Sequence, residues 1–274
     1  MPAIDYHAQI RLLVAVRGHP FDRNAFAALF DGMDGIAATF VDQPAAAHML
    51  RPDVAEAFDA ILLYDMPGLD FATDTRATPV EPPKGFEDNF TALLDRGTGI
   101  VALHHALAGW PAWPGYSELL GGTFLYRPSE LRGTQKSDSG YRHGVEYTAT
   151  VAAPDHPVTA GIPQSFPMKD ELYLCEIFEA EVTPLLRSDA SFTRDAFYSA
   201  TAAIEGRMYS NEGWEHPDGS NLIGWVKRAR RSSLVYLQPG DDQVTYQNPV
   251  YRQLVENAIR WVASAEAKAW AATQ

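Results

Sequence analysis

The sequence predicts an α/β fold, a mostly parallel central sheet with helices on both faces, and three observations carry the prediction. Apolar runs of strand length alternate with stretches of helical period over the first hundred residues. Glycine, proline and aspartate punctuate the junctions, as βα and αβ turns require. The 274 residues suffice to bury both faces of a sheet, and they predict one domain over 1–274.

Ile10 to Val16 is the first strand, ended by Arg17-Gly18-His19-Pro20. Phe26, Leu29, Phe30 and Met33 recur at helical spacing, with Asp22 as N-cap and Gly32 and Gly35 near the end. Ile36 to Val41 is a second strand, and Asp59 to Tyr64 a third, closed by Asp65-Met66-Pro67-Gly68. Phe71 to Pro83 lacks periodicity and reads as a loop. Phe86, Phe90, Leu93 and Leu94 form the next helical stripe, stopped by Gly97. Gly99 to Leu103 is then a buried strand that delivers His104 and His105 at its end, with Ala106 and Ala108 permitting a tight turn. Residues around 123–144 are polar and read as a loop-rich excursion. Val145 to Val151, Val182 to Arg187 and Ser233 to Gln238 are later strands, while Asp189 to Glu215 is too mixed to assign. Tyr251, Leu254, Val255, Ala258 and Val262 mark a closing amphipathic helix.

A net charge of −13 and the absence of any Lys/Arg-rich run exclude nucleic acid and anionic membrane surfaces as expected partners. The single cysteine, Cys175, forms no intrachain disulfide and sits in an apolar run, where a buried inert thiol is expected. With a polar stretch from Met1 to Gln9 and no apolar run of membrane-spanning length, a cytoplasmic location is expected. No G-x-S-x-G elbow, P-loop or G-x-G-x-x-G follows a strand, so serine-hydrolase, nucleotide-triphosphate and dinucleotide readings lack support.

Residues that follow separate strands of a parallel sheet converge at one rim. That gathers His19, Asp65, His104 with His105, and Asp241 with Asp242. Imidazoles and carboxylates together suit proton transfer, and are compatible with a divalent metal, although no metal motif such as H-x-H is present. In strand geometry His104 and His105 would point to opposite sides, so one is expected to face inward. The aspartates also suit turns and helix caps. Trp110, Trp113 and Tyr116 read equally as a stacking platform for a sugar ring or as core packing beneath a Pro-rich loop. That loop is also compatible with a homodimer contact.

Four separated motifs occur in order: Leu103-His104-His105-Ala106 through Gly121-Gly122, His156-Pro157-Val158-Thr159-Ala160-Gly161-Ile162, Asp170-Glu171-Leu172-Tyr173, and Val235-Tyr236 through Gly240-Asp241 to Ala258-Ile259-Arg260-Trp261. Together they resemble the ThuA-like, or trehalose-utilisation, family, which is similar in fold to class I glutamine amidotransferases. The resemblance implies a three-layer, flavodoxin-like sheet with His104 at the amidotransferase's nucleophilic cysteine. An imidazole forms no glutamyl thioester, so glutaminase activity is not expected. Many relatives carry Gly-His where this chain has Gly240-Asp241.

The resemblance further implies carbohydrate processing: a sugar or keto-glycoside handled by acid/base, or metal-assisted, chemistry in a lyase, isomerase or hydrolase. His104, Glu171 and Asp241 are then the catalytic candidates. His19, Asp65, His105, Trp110, Trp113, Tyr116 and Asp170 are the substrate-binding candidates. Asp170 and Glu171 are neighbours and cannot both face one pocket from an extended segment, which weakens a two-carboxylate hydrolysis. The alternative is a non-catalytic small-ligand or assembly module that retains the fold. A His104 hydrogen-bonded beside a pocket favours the enzyme, and a His104 in apolar packing the relic.

Overall fold

A computed structural model describes residues 5–72 and 77–273. Residues 1–4 of the polar N-terminal stretch and residues 73–76 of the expected Phe71–Pro83 loop lie outside them. The first half of the chain lays down strands β1 (Ile10–Arg17), β2 (Ile36–Asp42), β3 (Ala60–Asp65) and β4 (Gly99–Leu103). The second half adds β5 (Gly140–Val151), β6 (Ser165–Leu174), β7 (Thr183–Ser188), β8 (Leu222–Ala229) and β9 (Ser232–Leu237).

These strands form one sheet in the order β6-β5-β7-β8-β9-β4-β3-β1-β2, with the two-residue strand Tyr198–Ser199 paired to β5. Strands β2, β1, β3, β4 and β9 are parallel to one another. Counted along the chain, these five follow the 2-1-3-4-5 order of the flavodoxin-like doubly wound sheet. The other half is an antiparallel wing joined through β8 to β9. The sheet is therefore mixed, with a parallel core.

Two strands went unread in the sequence. β8 carries Leu222, Ile223, Trp225 and Val226 fully inside, and β6 extends through the Asp170-Glu171 motif. Within the excursion, Ser129–Leu131 and Thr134–Lys136 form a small hairpin, and β5 begins at Gly140.

Apolar residues on the two sheet faces make two cores. One face packs against helix α1 (Arg23–Ala28) and the late helix α2 (Pro249–Ala263), burying Phe26, Leu254 and Ile259. The other packs against the helix Phe86–Asp95, burying Phe86, Phe90, Leu93 and Leu94. Asp22 caps α1 by accepting from the Asn24 and Ala25 amides, and Asn248 caps α2. α1 stops at Ala28, earlier than the Phe26–Met33 stripe suggests, yet Leu29, Phe30 and Met33 remain buried on successive turns. No helix among the described residues is long and apolar enough to cross a membrane.

Candidate functional site

The parallel strands deliver their polar residues to one rim, and backbone geometry fixes how each arrives. After β1, Gly18 takes φ +108°, and a Cβ there would stand 2.2 Å from the Met66 carbonyl oxygen, so only glycine permits the turn that presents His19. After β4, His104 itself takes φ +39° and opens a 3₁₀ turn, His104–Ala108. This left-handed conformation at a strand-to-helix elbow is strained for a non-glycine residue. Tyr236 braces it by donating its hydroxyl to the His104 carbonyl at 3.1 Å. After β9, Gly240 has φ +138°, and a Cβ there would meet the Tyr251 hydroxyl at 2.5 Å.

His104 is fully buried but not in apolar packing. Its Nδ1 lies 2.5 Å from the Gln238 carbonyl, which can only accept, so Nδ1 carries the hydrogen. Its Nε2 lies 3.0 Å from Glu171 Oε2 and 2.8 Å from the Tyr173 hydroxyl. Burial disfavours the charged ring, but the Glu171 hydrogen bond and the charges of Asp241, Glu171 and Asp170 outweigh it and push the pKa up to about 9.

His105 is also buried, because the 3₁₀ turn removes the alternation that would have sent it to the opposite side. Its ring lies 4.1 Å from the His19 ring and 4.5 Å from the His104 ring, centroid to centroid. Burial, reinforced by the neighbouring His104, His19 and His143, holds it well below the usual histidine range. His19 is lowered as well, again chiefly by burial.

The wing supplies the opposing charges. β6 presents Glu171 and Tyr173 on one face and Asp170 on the other, as the two-residue period of a strand demands. His143 approaches from β5, where the pairing register with β6 shifts between Arg142 and Val145. This bulge aims His143 Nδ1 at Glu171 Oε1, 3.0 Å away, and at Asp241 Oδ2, 3.6 Å away. Asp241 raises the His143 pKa against partial burial, with help from Glu171. Burial pushes Asp241 up, but His143, His104 and His19 more than offset it and leave its pKa low.

In front of this cluster lies a cavity of about 400 Å³. Glu171, His143, His19 and Tyr173 supply its polar wall, and Phe124, Tyr126 and Tyr141 are among its aromatic residues.

The structure gathers some of the expected residues and not others. His19, His104, His105, Glu171 and Asp241 come together. His104 stands behind Glu171 and Tyr173 rather than on the cavity wall, so it acts through them. Asp170 does not face the cavity. Its carboxylate accepts from the Gly240 amide at 2.5 Å, the Asp241 amide at 3.1 Å and the Glu171 amide at 2.9 Å, so it shapes the loop that carries Asp241. Burial pushes its pKa up to about 7, against His104 and the Gly240 amide.

Asp65 is absent from the cavity wall too: it is buried at the end of β3, accepting from the Gln43 amide at 2.7 Å. Trp110, Trp113 and Tyr116 are core residues, not a platform at this cavity. Phe86 packs on both tryptophans and Phe90 on Trp113 and Tyr116, because the Pro-rich turn folds them down onto the helix Phe86–Asp95. Asp242 caps the short helix Gln243–Gln247. His143, Tyr173 and Gln238 were missed. The His143-Gly144 pair inside an alternating run was the available signal, since glycine there marks a bulge. Cys175 is buried, and burial raises its thiol pKa.

Comparison with solved structures finds the same fold at low identity. A ThuA-like protein from Parabacteroides merdae aligns with a TM-score of 0.62 at 14% identity, covering 93% of this chain and 90% of that one. Another from Bacteroides uniformis aligns at 0.60 and 18% identity, covering 94% and 93%. A cytoplasmic protein from Salmonella typhimurium aligns at 0.53 and 11% identity, covering 92% and 98%. No curated protein matches the sequence. The family model described as ThuA, trehalose utilisation, matches residues 25–262, and the chain therefore belongs to the ThuA family.

Proposed function

We propose that the cavity binds a sugar carrying a ketone and that Glu171 removes a proton from the carbon beside that ketone, as in an isomerase or a β-eliminating lyase. The observation that carries this reading is the grip on Glu171. It stands on the cavity wall with His104 at one carboxylate oxygen and His143 at the other, both at 3.0 Å. A carboxylate so held is fixed in position and has imidazoles beside it to balance its charge and pass on a proton.

His143 and Tyr173 are the cavity-wall donors placed to stabilise an enolate oxygen. His104 is a positioning residue, holding Glu171 and Tyr173 from behind. Asp170 faces away, so a second carboxylate flanking a glycosidic bond is not supplied by this motif, which supports proton abstraction over hydrolysis. Aromatic walls around a polar end suit a sugar ring, whose faces are apolar and whose edge is hydroxylated. The hydrogen-bonded setting of His104 favours this reading over a non-catalytic module. A cytoplasmic setting goes with it, that being the description of the Salmonella neighbour.

The test is deuterium exchange. Keto-sugars incubated with the protein in D₂O should gain deuterium beside the ketone, read by NMR. Glu171→Gln should slow exchange by at least about a hundredfold, the usual worth of a positioned base. Wild-type exchange no faster than buffer across mono- and disaccharide keto-sugars, or full activity in Glu171→Gln, would overturn the proposal.

A further inference from the structure

We propose that His19, His105 and Asp241 form a binding site for one divalent transition-metal ion, of which Zn²⁺ is the representative, beside the cavity that His19 lines. One ligand atom from each of the three lies within 4.8 Å of the others. The observation that points to a ligand is His105 Nε2. It is buried, has no hydrogen-bond partner, and lies 3.9 Å from Asp241 Oδ1. A buried polar atom left unmet costs about 1–3 kcal/mol, and a bound ion is one partner that removes the cost.

The tautomers agree with this assignment. His19 Nδ1 donates to the Pro20 carbonyl at 2.9 Å, which leaves Nε2 with its lone pair and orients the ring as metal-bound histidines are oriented by their outer hydrogen bond.

Ligand atoms on one tetrahedral zinc stand about 3.4 Å apart, so Asp241 and His105 close on an ion with a shift of about half an ångström. Two imidazoles and one carboxylate favour zinc and its transition-metal neighbours over magnesium or calcium, which take oxygen donors. Three protein ligands would leave a fourth tetrahedral position for water or a bound molecule, and His19 borders the cavity. The other nearby triple, His104, Glu171 and Asp241, is less suited. His104 already donates through Nδ1 to Gln238 and engages Glu171 and Tyr173 through Nε2, so a metal there would break bonds the fold has made.

The test uses full-length protein stripped with a chelator and titrated calorimetrically with Zn²⁺, and with Co²⁺ as a visible spectroscopic probe. One ion per chain is expected, with the intense Co²⁺ absorption of a four-coordinate site. His105→Ala and His19→Ala should each weaken binding by more than about tenfold, the least that loss of even an outer-shell partner brings. Glu171→Gln should retain it. Circular dichroism of the stripped variants checks folding. Should buried His105→Ala fail to fold, His19→Ala at the cavity wall decides. No stoichiometric binding by wild type, unchanged affinity in His19→Ala, or loss in Glu171→Gln with retention in His19→Ala would overturn the proposal. Metal binding is read without substrate, so its failure leaves the role of Glu171 standing.

Discussion

Replacing Asp170 by asparagine should destabilise the fold and loosen the loop that carries Asp241. The carboxylate accepts three backbone N–H groups: those of Glu171 and Asp241 on Oδ1, and that of Gly240 on Oδ2. Asparagine offers one oxygen, so its NH₂ must face either the Gly240 amide or the other two. A hydrogen bond to a charged acceptor contributes about 1.5–3 kcal/mol, and a buried donor left unmet costs about 1–3 kcal/mol. The neutral amide recovers part of this, because burial disfavours the charged carboxylate and, against His104 and the Gly240 amide, raises its pKa to about 7. The net loss is about 2–3 kcal/mol, which for a chain of this size lowers the melting temperature by roughly 5–10 °C. Calorimetric melts at pH 7, about the raised pKa, measure it, and the difference from wild type should shrink toward pH 8 as the carboxyl's contribution is lost through that value. A melting temperature equal to or above that of the wild type would refute the reasoning, since the three amides would then need no anionic acceptor.

Asp65 has one carboxylate oxygen without a partner, and burial pushes its pKa from 3.8 up to about 6. The raised value means that its contribution to stability is full below pH 4 and is lost as pH rises through 6, at 1.36 kcal/mol per unit, or about 3 kcal/mol in all. Urea unfolding of wild type and Asp65→Asn should show their stability difference moving by that amount in favour of the variant between pH 4 and pH 8; parallel curves would exclude it. At His104, φ is +39°, so His104→Gly should be more stable than His104→Ala by about 1 kcal/mol in the same assay, and the reverse order would remove the strain argument. Trp113→Ala should cost about 3–5 kcal/mol by opening the core beside Phe86 and Phe90, while leaving sugar affinity at the cavity unchanged. Weakened sugar binding without destabilisation would return Trp113 to the site.

The parallel half was legible because its strands are buried on both faces and read as continuous apolar runs. Ala60–Asp65 and Gly99–Leu103 are buried at every position. The wing was less legible for the same reason inverted. β6 alternates, but its buried positions include Asp170 and Glu171, charges that hydropathy assigns to the surface. What buries them is tertiary: the amides of Gly240 and Asp241 arrive from the far end of the chain, and His104 from the middle. Trp110 and Trp113 posed the opposite problem. Their residue types suit stacking on a ligand or on the core, and only the position of the helix Phe86–Asp95 decides.

The candidate chemistry belongs to neither half alone. The strand tips of the parallel core bring to the cluster three imidazoles, His19, His104 and His105, and the Asp241 carboxylate. The wing adds Glu171 and Tyr173 from β6 and, through the bulge in β5, His143. Had β5 run without that bulge, His143 would have followed strand alternation, and Glu171 would lack its outer imidazole. Two anions and four imidazoles then share one small volume, and they divide by protonation and contact. His104, tied to Gln238, Glu171 and Tyr173, is the charged ring that fixes the base. His105, buried with Nε2 unmet beside Asp241, is the neutral ring with a lone pair to offer. The same cluster can therefore hold a proton-transfer carboxylate and a cation side by side, with Asp241 between them.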